Sequence, residues 1–467
     1  MVLFKRHRAA LDPAPSSEIA SLQAPGLVIA ATHSSAGKTL STLGIVRALV
    51  RRGLRVGSFK VGPDYIDPAF HLAAGARSCA NLDAWAMRLA TLTSLAEGAA
   101  AGVDVVIGEG VMGLFDGAAD GSGSTADLAS LLGLPVVLVI DAKGMGQSVA
   151  AIAEGFVRFR DDVDVLGLIF NRVAGERHAQ LLAAACDDRL ATVRLGAMPL
   201  DAGLALPSRH LGLVQAREHD GLQALLDRAA DLVETHLDLD RLLQLSRPSA
   251  LASFGATSPP LPPLGDRIAV ADDAAFGFAY PATLDGWHGA GASLHRFSPL
   301  ADEAPDATAD AVFLPGGYPE LYGERLAAAS RFMGGLRKAA ERSAVIYGEC
   351  GGFMVLGREL IDRDGRAHPM AGLLPVTTSF AAPRLHLGYR QLTTKRRGPL
   401  GPEGCGFRGH EFHYARLVDD GGAPALFDVG DALGRTLGSA GVQLGRICGS
   451  FMHLVDRIAV EPRSSTP

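Results

Sequence analysis

The sequence predicts an α/β protein of two domains, with a phosphate-binding loop in the first and a reactive thiol in the second. Three observations carry this. Short apolar runs alternate with helical patterns through both halves of the chain, as parallel sheets covered by helices require. One run, Leu27-Val28-Ile29-Ala30, leads into Ala31-Thr32-His33-Ser34-Ser35-Ala36-Gly37-Lys38-Thr39. Another, Val345-Ile346-Tyr347, stops at Gly348-Glu349-Cys350-Gly351-Gly352. That reads as a strand, a sharp turn and a helix beginning at Phe353.

A chain of 467 residues is too long for one core. The formal net charge of −6 gives no footprint for nucleic acid. Lys5, Arg6 and Arg8 are not followed by a long apolar segment, so no signal peptide is expected. Runs such as Leu131 to Ile140 are too short to span a bilayer. The five cysteines, Cys79, Cys186, Cys350, Cys405 and Cys448, include no CxxC pair. A zinc knuckle or disulfide scaffold is therefore not expected, and the cytoplasm is the natural compartment.

Residues 1–25 read as a loose leader. A first domain over 26–245 starts with the strand at Leu27 and a helix from Lys38 to about Arg51. Val56–Phe59, Val103–Ile107, Pro135–Ile140 and Val165–Phe170 are its further strands. Helical patterns run from Gln147 to Arg160 and from Arg177 to Cys186. A linker over 246–265 contains Pro259-Pro260 and Pro262-Pro263, poor material for an element interior. A second domain over 266–460 restarts the pattern with Arg267–Val270, Ala311–Leu314 and Ala344–Tyr347. It closes on a glycine-rich turn region at 398–406 and a turn and strand near 445–451.

The Gly37-Lys38-Thr39 triplet between a strand and a helix suits a nucleotide. Backbone N–H groups wrap the phosphates, Lys38 supplies a point charge and Thr39 can hold Mg²⁺. Thr32 stands where the ordinary pattern has its first glycine, so the loop is a variant. Lys60, Asp64 and Asp67 follow in Phe59-Lys60-Val61-Gly62-Pro63-Asp64-Tyr65-Ile66-Asp67-Pro68, and Glu109 and Asp116 lie beyond the strand ending at Ile107. Carboxylates at strand ends beside such a loop suit Mg²⁺, although any single Asp could be a turn cap. Asn171, just past a strand, could bond a base or cap a turn.

Glycines after Cys350 allow tight turning, and a helix N-terminus there should lower the thiol pKa. Gly316-Gly317, past the strand Ala311–Leu314, could present N–H groups to an oxyanion. His453 is the preferred base, with His410 and His413 as competitors. Cys405 and Cys448 read as structural.

These runs together resemble the corrin a,c-diamide synthases of cobalamin biosynthesis. The matching text includes the Gly62-to-Pro68 string, Asn81-Leu82-Asp83, Glu109-to-Gly117, Pro207-to-Leu213, Pro315-to-Glu320, Gly348-to-Gly352 and Gly409-to-Tyr414. The likeness runs from about residue 26 to 457. It implies a dethiobiotin-synthetase-like P-loop domain followed by a class I glutamine amidotransferase domain of the cobyric acid synthase type. It implies ATP- and glutamine-dependent amidation of a corrinoid, with ATP and Mg²⁺ as cofactors. Ser34, Ser35, Gly37, Lys38, Thr39 and Asn171 would bind ATP, and Thr39, Asp64 and Glu109 would hold Mg²⁺. Lys60, Asp64, Tyr65, Asp67 and Asp116 would face substrate. Cys350 would be the nucleophile, His453 its base, and Gly317 and Gly351 the oxyanion donors. A homodimer comes with the resemblance; the residues do not specify it. Two departures stand out: Ala31 replaces the glycine that opens the family's loop, and Val455 stands where the class I triad has its Glu. The metal-free ring, hydrogenobyrinic acid, is the expected substrate. Cobalt-containing cobyrinic acid is the nearest rival, and a regulatory P-loop ATPase with a non-catalytic amidotransferase-like module is the rival of a different class.

Overall fold

The computed structural model describes residues 24–458 except 188, 205, 207, 210–211 and 252–257. The expected leader therefore lies almost wholly outside the described residues, as do the middle of the expected linker and much of the Pro207-to-Leu213 string.

The first half is a seven-stranded sheet, parallel throughout. Its order is Cys79–Leu82, Val56–Val61, Val105–Glu109, Gly26–Ala31, Val136–Asp141, Val165–Val173 and Val193–Pro199. Alternation explains the apolar runs. Val28 and Ala30 pack into one core, while Leu27, Ile29 and Ala31 pack into the other. Both faces are buried, so every residue of that strand must be apolar or small. All strands end on one edge, where the pairs Ile29↔Glu109 and Lys60↔Glu109 bring the phosphate loop, Lys60 and Glu109 together. Ligand sites in such sheets form at this edge, where the strand order reverses. The helix Lys38–Arg51 leaves the loop and packs against Leu222–His236. The chain then returns to the sheet, where Gly26 and Arg247 bridge.

The second half contains a six-stranded sheet in the order Ser293–Phe297, Arg267–Ala271, Ala311–Leu314, Val345–Glu349, Ile447–Ser450 and Val442–Leu444. Only the last pair is antiparallel. Beside it lies an antiparallel sheet: Thr436–Ala440, Phe427–Asp431, His386–Thr394, Gly406–His413 and Met452–Arg457. The chain passes from one sheet to the other at Phe451. That corner places His453 beyond the end of the strand leading to Cys350.

The antiparallel sheet is also the dock for the first half. Tyr389 Oη donates to Asp83 Oδ2 at 2.8 Å, and its ring stacks on Trp85 at 4.5 Å. The Arg408 guanidinium covers Trp85 at 4.9 Å. Arg88 pairs with Asp456, which is fully buried, through both its backbone N–H and its guanidinium, each at 2.8 Å. Among the described residues no helix is long and apolar enough to cross a membrane. Replacing Asp456 by Ala removes the acceptor of the Arg88 backbone N–H and Nε in a mostly desolvated site. A loss of about 3 kcal/mol is expected, read as a lower denaturant midpoint, with Asp456→Asn losing less.

Candidate active site

Two clusters of functional side chains stand at the facing edges of the two parallel sheets.

In the first, Gly37 adopts φ 97°, and a Cβ there would fall 1.9 Å from Asn171 Nδ2. Glycine is required by both backbone and space. Asn171 donates to the Ala36 carbonyl at 2.8 Å, so it braces the loop; of its two expected roles, the structure displays the turn-holding one. Arg172 helps, donating to Ser35 O at 2.8 Å. Ser34 and Ser35 are exposed on the loop. Lys38 is buried and donates to Met112 O at 3.0 Å. Burial, then the neighbouring Lys60, lowers its pKa to about 8.

Glu109 is the hub. Its Oε1 accepts from Thr39 Oγ1 at 2.6 Å and from Lys60 Nζ at 2.9 Å. Its Oε2 lies 2.8 Å from His71 Nε2. Burial would discharge it, but Lys60 and His71 hold it well below the usual carboxylate range. Lys60 also contacts Asp67 Oδ2 at 2.6 Å. Burial, then Asp64, pushes Asp67 up to about 7 against the pull of Lys60. Asp64 Oδ1 accepts from the N–H groups of Ile66 and Asp67, capping the turn into the helix Asp67–Ala73. Asp116 is exposed and caps its own turn, accepting from Gly113 N–H at 2.9 Å. The short spacing that closes this turn directs one Asp116 oxygen at its own backbone.

In the second cluster, the strand Val345–Glu349 gives way at Cys350, whose φ of 44° and ψ of −101° are costly for a residue with a side chain. This is the geometry of a nucleophile elbow. The helix begins at Gly351, two residues before the expected start, and runs only to Leu356. Cys350 N–H donates to Ser450 O at 2.8 Å, tying the elbow to the neighbouring strand. The Gly316-Gly317 turn faces it, and a Cβ on Gly351 would lie 3.0 Å from Gly317 N. The expected lowering of the thiol pKa is overturned. Burial, then the Glu320 carboxylate, raises it, and the Gly351 N–H opposes this only in part. One and a half turns of helix offer too small a dipole to offset full desolvation.

The three histidines separate by their partners. His413 has both nitrogens occupied, facing Ala415 O and Glu411 Oε1 at 2.9 Å each. His410 bonds Tyr280 Oη at 2.9 Å and is held neutral by burial, then by His453. His453 stacks on His410 at 4.9 Å and lies beside Glu349, the residue preceding the thiol. A Cβ on Gly316 would lie 2.4 Å from His453 Cε1, so only glycine lets the imidazole close on this turn.

Between the clusters is a cavity of about 610 Å³, lined by both halves, including Asp64, Tyr65 and Met112 on one side and Arg390, His410 and His453 on the other. Tyr65 stands between them. Its ring is 4.2 Å from Tyr280, 5.5 Å from Phe278 and 5.0 Å from His453.

Comparison with known proteins adds the family. Residues 27–214 match a CobQ/CobB/MinD/ParA nucleotide binding domain, and residues 267–457 match a CobB/CobQ-like glutamine amidotransferase domain. A protein of Brucella anthropi named hydrogenobyrinate a,c-diamide synthase is 51% identical over 433 residues, 92% of this chain and 98% of its own. Proteins of the same name from Rhizobium meliloti and Rhodobacter capsulatus are 51% and 52% identical over 92% of this chain, covering 99% and 98% of their own lengths. The chain belongs to the hydrogenobyrinate a,c-diamide synthase family. The family's two-domain plan, a nucleotide-binding half and an amidotransferase half, is the α/β architecture described above.

Sequence reading did not single out His71 or Arg172, and it saw Glu349 only as part of a string. His71 and Arg172 lie among ordinary residues on their elements, and nothing in local spacing marks them. The raised thiol pKa implies slow alkylation of Cys350 by iodoacetamide near neutral pH, with a rate still climbing through about pH 9, where an ordinary cysteine is levelling off. Peptide mapping against pH checks this; a fast reaction independent of pH contradicts it.

Proposed function

We propose that this chain uses ATP and glutamine to amidate the a and c carboxylates of hydrogenobyrinic acid. The observation that carries the reading is the shared cavity, lined by Asp64, Tyr65 and Met112 of the nucleotide-binding half and by His410 and His453 of the amidotransferase half. The relatives' name supplies the ring and favours the metal-free one.

A carboxylate is a poor electrophile, and phosphorylation converts it to an acyl phosphate. The loop N–H groups and Lys38 neutralise the transferring phosphoryl group. The residues beside them fit Mg²⁺. Thr39 and Glu109 set two oxygens 2.6 Å apart, and burial, then the neighbouring Asp64, pushes Asp67 up to about 7. A hard dication relieves such crowding. Thr39, Asp64 and Glu109 would hold Mg²⁺, which when bound supplies further charge neutralisation.

At the other edge, Cys350 attacks the side-chain amide of glutamine, and the Gly317 and Gly351 N–H groups receive the developing oxyanion. His453 takes the thiol proton and returns it to the departing ammonia. Water then hydrolyses the glutamyl thioester. Ammonia must reach the acyl phosphate before it protonates, and the cavity lined by His453, Tyr65 and Asp64 is the passage. The five cysteines are free thiols, in keeping with a cytoplasmic enzyme.

Incubation with hydrogenobyrinic acid, ATP and glutamine should give the a,c-diamide, with one glutamate per amide. Cys350→Ala should abolish glutamate release and retain amidation from ammonium salts. Glutamate release unchanged in Cys350→Ala removes the thiol from its role, and product from cobyrinic acid alone reassigns the ring. Tyr65→Ala should uncouple the centres, raising glutamate per amide several-fold while Tyr65→Phe stays near one. The ratio is read by measuring both products in the same reaction.

A further inference from the structure

A thiol nucleophile needs a base whose Nε2 lone pair is free, and that requires the proton to sit on Nδ1. Something must accept the Nδ1 hydrogen. The residue two places beyond His453 is Val455, which packs in the core between the two halves and offers no acceptor. His453 Nδ1 is buried and has no hydrogen-bond partner. An N–H left in that state costs its desolvation.

The carboxylate facing it is Glu349. Its Oε2 lies 3.8 Å from His453 Nδ1, and both side chains are almost wholly buried. Its Oε1 is held from two directions, by Tyr347 Oη at 2.9 Å and by Leu454 N–H at 3.3 Å. Tyr347 is kept far above its ordinary pKa by burial and by Glu349, so it remains an O–H donor. One carboxylate is thereby anchored to its own strand and to the strand bearing His453, with its second oxygen turned to the ring. Two rings stacked or tilted against the imidazole, His410 and Tyr65, are not anions: burial keeps His410 neutral, and burial, then Tyr280, raises Tyr65.

We propose that Glu349 is the positioning residue of the glutaminase centre: it accepts the His453 Nδ1 hydrogen, sets the tautomer and steadies the imidazolium that forms when Cys350 gives up its proton. The inference rests on the assignment of Cys350 and His453 made above. The 3.8 Å gap closes by a small side-chain rotation, as contacts in resting sites tighten once substrate binds. The thiol proton moves to His453 Nε2 as the S–C bond forms, and then to nitrogen as the C–N bond breaks.

Glu349→Gln retains an acceptor for Tyr347 and Leu454 but can turn an amide N–H toward Nδ1, favouring the wrong tautomer. Glutaminase kcat should fall about 10³-fold, with KM for glutamine little changed and ammonium-driven amidation intact. The alkaline-rising limb of the kcat profile should move to lower pH, because an imidazolium without its carboxylate loses its proton more readily. Nitrogen NMR of the unsubstituted protein provides a reading independent of any variant: His453 should be the Nδ1–H tautomer. Wild-type kcat and pH profile in Glu349→Gln, or an Nε2–H tautomer in the native protein, overturns the proposal. If Cys350→Ala or His453→Ala keeps glutaminase activity, it is the underlying assignment that fails.

Discussion

The two halves meet beside the cavity through one packed contact, the Tyr65 ring against Tyr280, Phe278 and His453. Tyr65 belongs to the loop that carries Asp64, and its ring neighbours all belong to the other half. Tyr280 reinforces the contact by donating to Pro63 O at 3.1 Å while bonding His410. Aromatic rings suit this place because they fill space between two cores and present few polar groups that need water.

Opposite electrostatic problems are solved at the two edges. Around Glu109, two lysines and a histidine are gathered with three carboxylates, and the buried charges persist because each has a partner within hydrogen-bonding distance. Around Cys350, burial and then the Glu320 carboxylate raise the thiol pKa. On the proposed reading, a thiol held protonated in this way needs an oriented base to activate it.

Much of the first edge was legible in advance. The helix Lys38–Arg51 and the strand Ala311–Leu314 have the expected limits, because an abrupt change of composition bounds each. Strands buried on both faces announce themselves as apolar runs. The antiparallel sheet was read only as shorter strands, since residues such as His386–Thr394 are mixed in character and half-exposed. Its function as the dock for Asp83, Trp85 and Arg88 depends on pairings hundreds of residues apart. Asp116 shows the limit of reading carboxylates by position: the same Asp-rich loop chemistry serves a ligand or a turn, and only the backbone geometry separates them.

The sequence by itself determined the fold class and the two motif-bearing turns, because each is a local matter of apolar runs ended by glycine, lysine or cysteine. Tertiary structure decided which histidine lies beside Glu349, the residue preceding the thiol, and what fills the space between the two halves. Those depend on the corner at Phe451, where the chain leaves one sheet for another and carries His453 back over Glu349. Contacts of that kind are set by packing between distant strands, and no short stretch of sequence encodes them.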